Sequence, residues 1–273
     1  MEPTFSNVRY GPNRRNTLDF WRSSAGQPSP LAVYIHGGGF VGGSKEGIDP
    51  YARRELLGAG IAVAAINYTF VTERRMPAAH HDGRRALQFL RSKAEEWGVD
   101  KTRVATFGDS AGAQICMYLG YHDDMADLHA EDAVARESTR LTCVATHGGQ
   151  TSRDFDWWIA HLPGYAQPHV DPATMFDVDT VEELRALMLD VSALSLVAEG
   201  DPPICMSYAM RPDDPPPAHP AEAVGWQIHH TTFGIKMKER MDALGLESHV
   251  RYPGHDAGYA SDAAFLIEKL VGG

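Results

Sequence analysis

The chain has 273 residues, 43% of them hydrophobic, which suits one α/β domain with an insertion and an ample core. Its formal net charge of −11 argues against a nucleic-acid partner or an anionic membrane surface, since either would require a basic patch. The three cysteines are odd in number and lie in apolar segments, which favours free thiols in a reducing compartment and hence the cytoplasm. The N-terminal residues show no signal-peptide pattern, and the longest apolar stretch, residues 56–66, is too short to span a bilayer.

The first part of the chain alternates strand-like apolar runs with helical patterns. The predicted strands are, in chain order, a hairpin around Val8 and Leu18, residues 31–35, residues 61–67 and residues 103–107. Asp49 and Pro50 have the pattern of an N-cap and a first-turn proline, and they predict a helix that ends near residues 58–60. A longer amphipathic helix is predicted to begin at Pro77 and to stop at Gly98.

A glycine-rich loop, His36-Gly37-Gly38-Gly39-Phe40, follows the strand at residues 31–35. Glycines leave backbone N–H groups uncovered, so that the loop can approach a ligand closely. A flexible connection would have the same composition. Within the loop, His36 is expected to brace the glycines rather than to transfer protons.

A second motif, Gly108-Asp109-Ser110-Ala111-Gly112, follows the strand at residues 103–107. This order predicts a nucleophile elbow, a tight strand-to-helix turn that projects the serine hydroxyl above the sheet and tolerates only small neighbours. Asp109 is expected to secure the local backbone. Each motif alone is weak, but a glycine loop after one strand and an elbow after a later one rarely coincide by chance.

The second part of the chain continues the alternation, with strands predicted at residues 141–146, 204–208 and 247–252. Residues 151–200 interrupt it and predict a short helical cap, whose aromatic side chains either line a substrate pocket or attach the cap to the main domain. The proline-rich segment 211–226 predicts either a wall of the cleft, with Trp226 turned inward, or a stiff spacer. Together these elements predict a single α/β domain over residues 1–273, with a mostly parallel sheet and helices on both faces.

The two motifs and their order resemble the α/β-hydrolase fold, specifically the hormone-sensitive-lipase-like carboxylesterases, from about residue 5 to the C-terminus. The resemblance implies a serine hydrolase with Ser110 as nucleophile. It also implies an oxyanion hole formed by the backbone N–H groups of Gly38, Gly39 and Ala111. No cofactor or metal is expected, because adjacent histidines such as His229-His230 do not share a helix face.

A serine nucleophile requires a base and a carboxylate that orients the base, in the chain order Ser, Asp or Glu, His for this fold. Among thirteen histidines, His255 follows the last predicted strand on a turn at the carboxyl end of the sheet, and it occupies the family's position for the base. Asp213 is the predicted acid and Asp214 the alternative, because both follow the strand at residues 204–208. The family's HG-x-x-D pattern is missing there, and either residue would equally suit a solvated loop.

The predicted activity is therefore that of a serine carboxylesterase acting on short-chain acyl esters, including aryl or carbohydrate esters, since only about thirty residues precede the glycine-loop strand. Two alternatives remain open: an amidase of the arylformamidase type, and a catalytically silent α/β-hydrolase that serves as a binding module. The expected partner is a small-molecule ester. A homodimer formed through an edge strand is compatible with the resemblance.

Overall fold

A central sheet organises the part of the chain that the structure, a computed structural model, describes: residues 1–24, 26, 28–255 and 257–272. Eight strands form this sheet: β1 (Phe5–Arg9), β2 (Thr17–Trp21), β3 (Ser29–Ile35), β4 (Ala62–Ile66), β5 (Val99–Asp109), β6 (Cys143–His147), β7 (Ile204–Ser207) and β8 (Ser248–Arg251). Their spatial order is β1-β2-β4-β3-β5-β6-β7-β8. Strands β1 and β2 form the predicted antiparallel hairpin, β2 pairs antiparallel with β4, and the remaining pairs are parallel.

The central strands are apolar on both faces, which is why their sequences read as continuous hydrophobic runs. In β3, Leu31, Val33 and Ile35 enter one hydrophobic core, and the alternating residues Ala32 and Tyr34 enter the core on the other side of the sheet. Each face must therefore be covered by helices. This layered arrangement confirms the predicted α/β class with a mostly parallel sheet.

Eleven α-helices connect and cover the strands in the described part of the chain. They are α1 (Pro50–Gly58), α2 (Ala78–Ser92), α3 (Ala94–Trp97), α4 (Ala111–Tyr121), α5 (Phe155–His161), α6 (Pro172–Met175), α7 (Val181–Asp190), α8 (Ala193–Leu196), α9 (Pro220–Ile228), α10 (Thr232–Ala243) and α11 (Asp262–Val271). Helices α1 and α11 contribute to the core on one face of the sheet, whereas α2, α4 and α10 contribute to the other.

The start of α1 confirms the predicted cap. The Asp49 carboxylate accepts hydrogen bonds from the backbone N–H groups of Tyr51 (3.0 Å) and Ala52 (3.3 Å), and Pro50 is the first helical residue. These bonds satisfy two of the donors that every helix N-terminus leaves unpaired.

Two predicted segments differ from the observed elements. The long helix expected between Pro77 and Gly98 divides at Lys93 into α2 and α3, and Gly98 ends α3 in the left-handed conformation with φ 71°. The proline-rich segment 211–226 is only partly a loop, because Pro220 begins α9. Proline is compatible with a first helical turn since it needs no N–H acceptor there.

The three cysteines, Cys116, Cys143 and Cys205, are buried free thiols, as predicted. Burial raises the pKa of each thiol, which keeps the sulfurs protonated and inert at neutral pH. Among the described residues, no helix has both the length and the apolar character needed to cross a bilayer.

Candidate active site

Ser110 lies on the turn between β5 and α4, at the carboxyl end of the parallel strands. Its backbone has φ 48° and ψ −113°, a combination that non-glycine residues rarely adopt and that costs about 1–3 kcal/mol. Its N–H donates to the carbonyl of His147 at the end of β6 (2.9 Å), which ties the turn to the neighbouring strand. This is the strained geometry that the elbow motif predicts.

The two glycines of the elbow are required by space. A Cβ atom at Gly108 or at Gly112 would collide with the carbonyl oxygen of Ile35 on the adjacent strand, and at Gly112 also with that of His36. These carbonyls are backbone atoms held in the sheet, so they cannot move aside. Close packing of α4 against β3 thus depends on the small residues of the motif.

The glycine-rich loop lies beside Ser110. Gly38 and Gly39 have φ angles of 111° and 61°, and the Gly38 carbonyl accepts from the N–H groups of Val41 and Gly42 (both 3.0 Å). Gly39 lines the same cavity as Ser110 and Ala111, whereas Gly38 does not line it. No hydrogen bond within the described chain uses the N–H groups of Gly39 and Ala111, so both remain available as donors.

His36 braces this loop, as expected. Its ring stacks on Tyr68 (4.3 Å between centroids), and the Tyr68 hydroxyl donates to the His36 carbonyl (3.0 Å). Burial lowers the pKa of His36 to about 4, so the ring is neutral at physiological pH. A Cβ at Gly43 would collide with this ring, which explains a glycine at that position.

The imidazole beside the serine belongs to His229, the residue that follows α9. Its Nε2 lies 3.0 Å from Ser110 Oγ, and its Nδ1 lies 2.9 Å from the carbonyl oxygen of Gly225. A carbonyl can only accept, so Nδ1 carries the proton and donates it to Gly225. Nε2 is then the free acceptor, which is the tautomer that a general base for the serine hydroxyl needs.

The structure does not bring the two other predicted triad residues to this serine. His255 is exposed and stacks on Tyr252 (4.8 Å between centroids) in a tight turn closed by its own N–H to the Tyr252 carbonyl (2.9 Å). Asp213 is exposed and forms a two-pronged ion pair with Arg211 (3.2 Å for each contact). Asp214 accepts from the Arg211 N–H (2.8 Å).

Local geometry explains why these positions differ from the expectation. The turn after β8 closes within four residues, so the His255 ring stays on its own loop. Arg211 is two residues from Asp213 and holds its carboxylate in a local ion pair on the exposed loop. Helix α9, rather than the turn after β8, brings a histidine to Ser110.

A buried amide pair links α9 to the nucleophile helix. The Gln150 side chain donates to the Ile228 carbonyl at the end of α9 and to the Gly148 carbonyl (3.2 Å), and it accepts from Gln114 of α4. Gly148 has φ 56°, and a Cβ there would approach the His229 ring to 3.3 Å. These contacts hold the end of α9, and therefore His229, against the serine.

Two cavities meet at Ser110. One, of about 410 Å³, is bounded by Gly39 and Ala111 on the elbow side and by Arg153 and Trp158 from the segment after β6. The other, of about 450 Å³, is bounded by His229 and Trp226, so the indole does face the cleft. Both volumes fall in the range of small-molecule sites, roughly 300–1,000 Å³.

A family model described as BD-FAE matches residues 18–214, well over half of the chain. The chain belongs to the BD-FAE family. The match contains the glycine-rich loop and the elbow, and ends before α9 and His229.

Relatives of this BD-FAE protein include esterases of Mycobacterium tuberculosis. Carboxylesterase NlhH is 36% identical over 96 residues, which cover 35% of this chain and 30% of NlhH. Carboxylic ester hydrolase LipN is 35% identical over 177 residues, covering 60% of this chain and 46% of LipN. The alignments thus span less than half the length of these two relatives.

The fold is also similar to that of solved esterases. A truncated carbohydrate esterase from gut microbiota superposes with a TM-score of 0.70 at 18% identity, covering 91% of this chain and 86% of that one. The α/β-hydrolase fold predicted from the two motifs is therefore confirmed.

His229 is the residue that sequence reasoning missed. It was considered only as half of a histidine pair for a metal, and no group of three or more potential metal-ligating side chains is found among the described residues. The available signal was Pro220 as a first-turn proline followed by Ala221, Ala223 and Val224, which favours a short helix ending at the histidine.

Proposed function

We propose that this BD-FAE protein is a serine carboxylesterase in which Ser110 is the nucleophile and His229 the general base. The observation that carries the proposal is the 3.0 Å contact between His229 Nε2 and Ser110 Oγ. The family membership and the names of the relatives support an ester substrate.

In the proposed mechanism, His229 takes the hydroxyl proton as Ser110 Oγ attacks the ester carbonyl. The imidazolium then protonates the departing alkoxide, and water hydrolyses the acyl-enzyme by the reverse route. The Gly225 carbonyl takes the place of the usual carboxylate: it keeps the ring in the correct tautomer and orientation. A neutral carbonyl stabilises the imidazolium less than a carboxylate does, so a modest turnover is expected.

The negative charge on the tetrahedral intermediate would be held by backbone donors. Gly39 and Ala111 border the cavity beside Ser110 with N–H groups that make no internal hydrogen bond, and Gly38, one residue earlier in the loop, completes the proposed set. Each such donor contributes about 3 kcal/mol to transition-state stabilisation.

The first experiment separates the two candidate bases. We expect Ser110→Ala and His229→Ala each to reduce kcat on p-nitrophenyl butyrate by about a thousandfold or more, whereas His255→Ala keeps activity within a fewfold of wild type. The circular dichroism spectrum and the thermal midpoint serve as controls for folding. If His229→Ala keeps the wild-type rate and His255→Ala loses most of it, the general base is His255, on the turn after β8.

Among the described residues, the partner of His229 Nδ1 is the Gly225 carbonyl and no carboxylate, which favours one alternative, the silent binding module. A fluorophosphonate probe tests it, because only an activated serine reacts with the probe. We expect labelling of wild type and none of Ser110→Ala; an unreactive wild-type protein would support the binding module. Comparing N-formylkynurenine with simple esters as substrates tests the arylformamidase alternative.

A further inference from the structure

A buried arginine lines the cavity beside the nucleophile. Arg153 is only 4% exposed, and it borders the 410 Å³ cavity together with Ser110 and His169. Its guanidinium stands 5.3 Å and 5.6 Å from the ring centroids of Phe155 and Trp158, and its Nη2 contacts the Met175 sulfur (2.8 Å). These neighbours fix the side chain in place without neutralising its charge.

No carboxylate pairs with this guanidinium in the described part of the chain. Arg153 forms no ion pair there, and its Nε is buried without a hydrogen-bond acceptor. Burial lowers the pKa of Arg153 to about 10, which still leaves the group charged at neutral pH. A buried charge without a partner is costly, and proteins ordinarily pair it or coordinate it.

Two histidines that interact electrostatically with Arg153 are neutral. The His169 ring lies in the same cavity, and burial together with the Arg153 charge lowers its pKa to about 4. Burial, with the charges of His81 and Arg153, lowers the pKa of the buried His80 to about 3, so its ring is neutral; the ring nitrogens have no hydrogen-bond partner among the described residues. A chain with a net charge of −11 thus keeps an uncompensated positive charge beside its nucleophile.

The position of His229 indicates which part of an ester the cavity lined by Arg153 would hold. A base that later protonates the leaving oxygen must face the alcohol, so the cavity lined by His229 and Trp226 is the alcohol side. The cavity with Arg153 is lined by Ser110, Gly39 and Ala111 but not by His229, so we assign it to the acyl group.

We propose that the acyl group of the substrate carries its own carboxylate, which binds the Arg153 guanidinium, so that the enzyme hydrolyses monoesters of short aliphatic dicarboxylic acids. This inference rests on the proposed esterase function. A planar guanidinium matches a carboxylate with two parallel hydrogen bonds. Ser110 would attack the ester carbonyl, the alcohol would leave with the proton from His229, and water would release the dicarboxylate.

The test compares monoethyl glutarate with ethyl valerate, which has the same acyl length without the carboxylate. We expect wild type to have the higher kcat/KM on monoethyl glutarate, and the ratio of the two values to fall about 10- to 100-fold in Arg153→Met, the range for one hydrogen-bonded charge. Arg153→Lys should have a kcat/KM ratio between those of wild type and Arg153→Met, because lysine keeps the positive charge but lacks the two parallel N–H donors of the guanidinium.

Arg75→Met is the matched control. Arg75 is half-exposed, donates to the Phe176 carbonyl (3.4 Å) and lies outside this cavity, so the variant removes one positive charge elsewhere. Its substrate ratio should equal that of wild type. An equal fall in Arg75→Met and Arg153→Met would overturn the proposal, since the effect would then be one of overall charge.

Binding without turnover gives a second readout. Glutarate should raise the Tm of Ser110→Ala more than glutaramide does at matched ionic strength, and the difference should vanish in Ser110→Ala/Arg153→Met. If the double variant fails to fold, two measurements still test the proposal: the ratio of wild-type kcat/KM values on the two esters, and the Tm shift of Ser110→Ala with glutarate compared with glutaramide. The carboxylate inference alone is overturned if wild type has equal kcat/KM on monoethyl glutarate and ethyl valerate, if glutarate and glutaramide shift the Tm equally, and if a fluorophosphonate still labels Ser110. An unlabelled Ser110 overturns the esterase function itself.

Discussion

At the scale of single residues, the elbow depends on the absence of side chains. Ser110 can hold a positive φ only because β3 approaches the turn closely on one side and α4 on the other. The glycines at 108 and 112 allow that approach, and the cost of the strained serine is offset by the surrounding core. The motif was readable from the sequence because its requirement is steric and local.

The steric requirement can be tested with one added methyl group. Gly112→Ala would place a Cβ against the carbonyl oxygens of Ile35 and His36, so we expect a loss of at least about 2 kcal/mol in the free energy of unfolding. Urea denaturation measures this loss. The control is Gly58→Ala in α1, where nothing lies within 4 Å of the added Cβ and the change should be neutral or stabilising by up to about 1 kcal/mol. Equal stabilities of the two variants would contradict the clash.

At the scale of secondary-structure elements, α9 decides which histidine reaches the serine. Its C-terminal end is attached to α4 through the side chains of Gln150 and Gln114, both buried. The proposed base, His229, is thus placed by contacts among three chain segments that are far apart in sequence. Such a placement cannot be read from local periodicity.

The link through Gln150 yields a prediction about positioning. Gln150→Leu removes the donor to the Ile228 carbonyl, so we expect kcat on p-nitrophenyl butyrate to fall about 10-fold or more as His229 loosens. The same change should cost about 1–3 kcal/mol of stability, because it leaves a buried acceptor unpaired.

Asp49→Ala separates positioning from stability. It removes the α1 cap, which typically contributes about 1 kcal/mol, at a residue that lines neither of the two cavities at Ser110. We expect urea denaturation to show the loss of stability while kcat stays at the wild-type value. An equal fall in kcat for both variants would argue that stability, rather than the position of α9, limits the rate.

At the scale of the whole molecule, buried neutral histidines make stability depend on pH. Burial lowers the pKa of His36 to about 4 and that of His80 to about 3, both below the unfolded value of about 6.5. Between about pH 6.5 and pH 4 the unfolded chain therefore binds protons that the folded chain does not. Stability is complete above pH 6.5 and falls on acidification by about 1.4 kcal/mol per pH unit for each group.

Urea denaturation at a series of pH values measures this dependence. His80→Leu should reduce the slope between pH 6 and pH 4 by about one proton, or about 1.4 kcal/mol per pH unit. A slope in His80→Leu equal to that of wild type would show that His80 is not the group concerned.

The sequence by itself predicted the strands in their chain order and the layered α/β class, and it singled out Ser110 as the candidate nucleophile. Hydrophobic periodicity, the Asp49 cap and the glycines around Ser110 are local features whose physical requirements act within a few residues. The single-domain division, with a cap at residues 151–200, stays a prediction. Only the tertiary structure decided which imidazole meets the serine and left the Arg153 charge unpaired beside it. The position of the imidazole and that of the guanidinium depend on how α9 and the segment after β6 pack over the sheet. That packing brings together side chains that are distant in sequence, and no spacing along the chain reveals it.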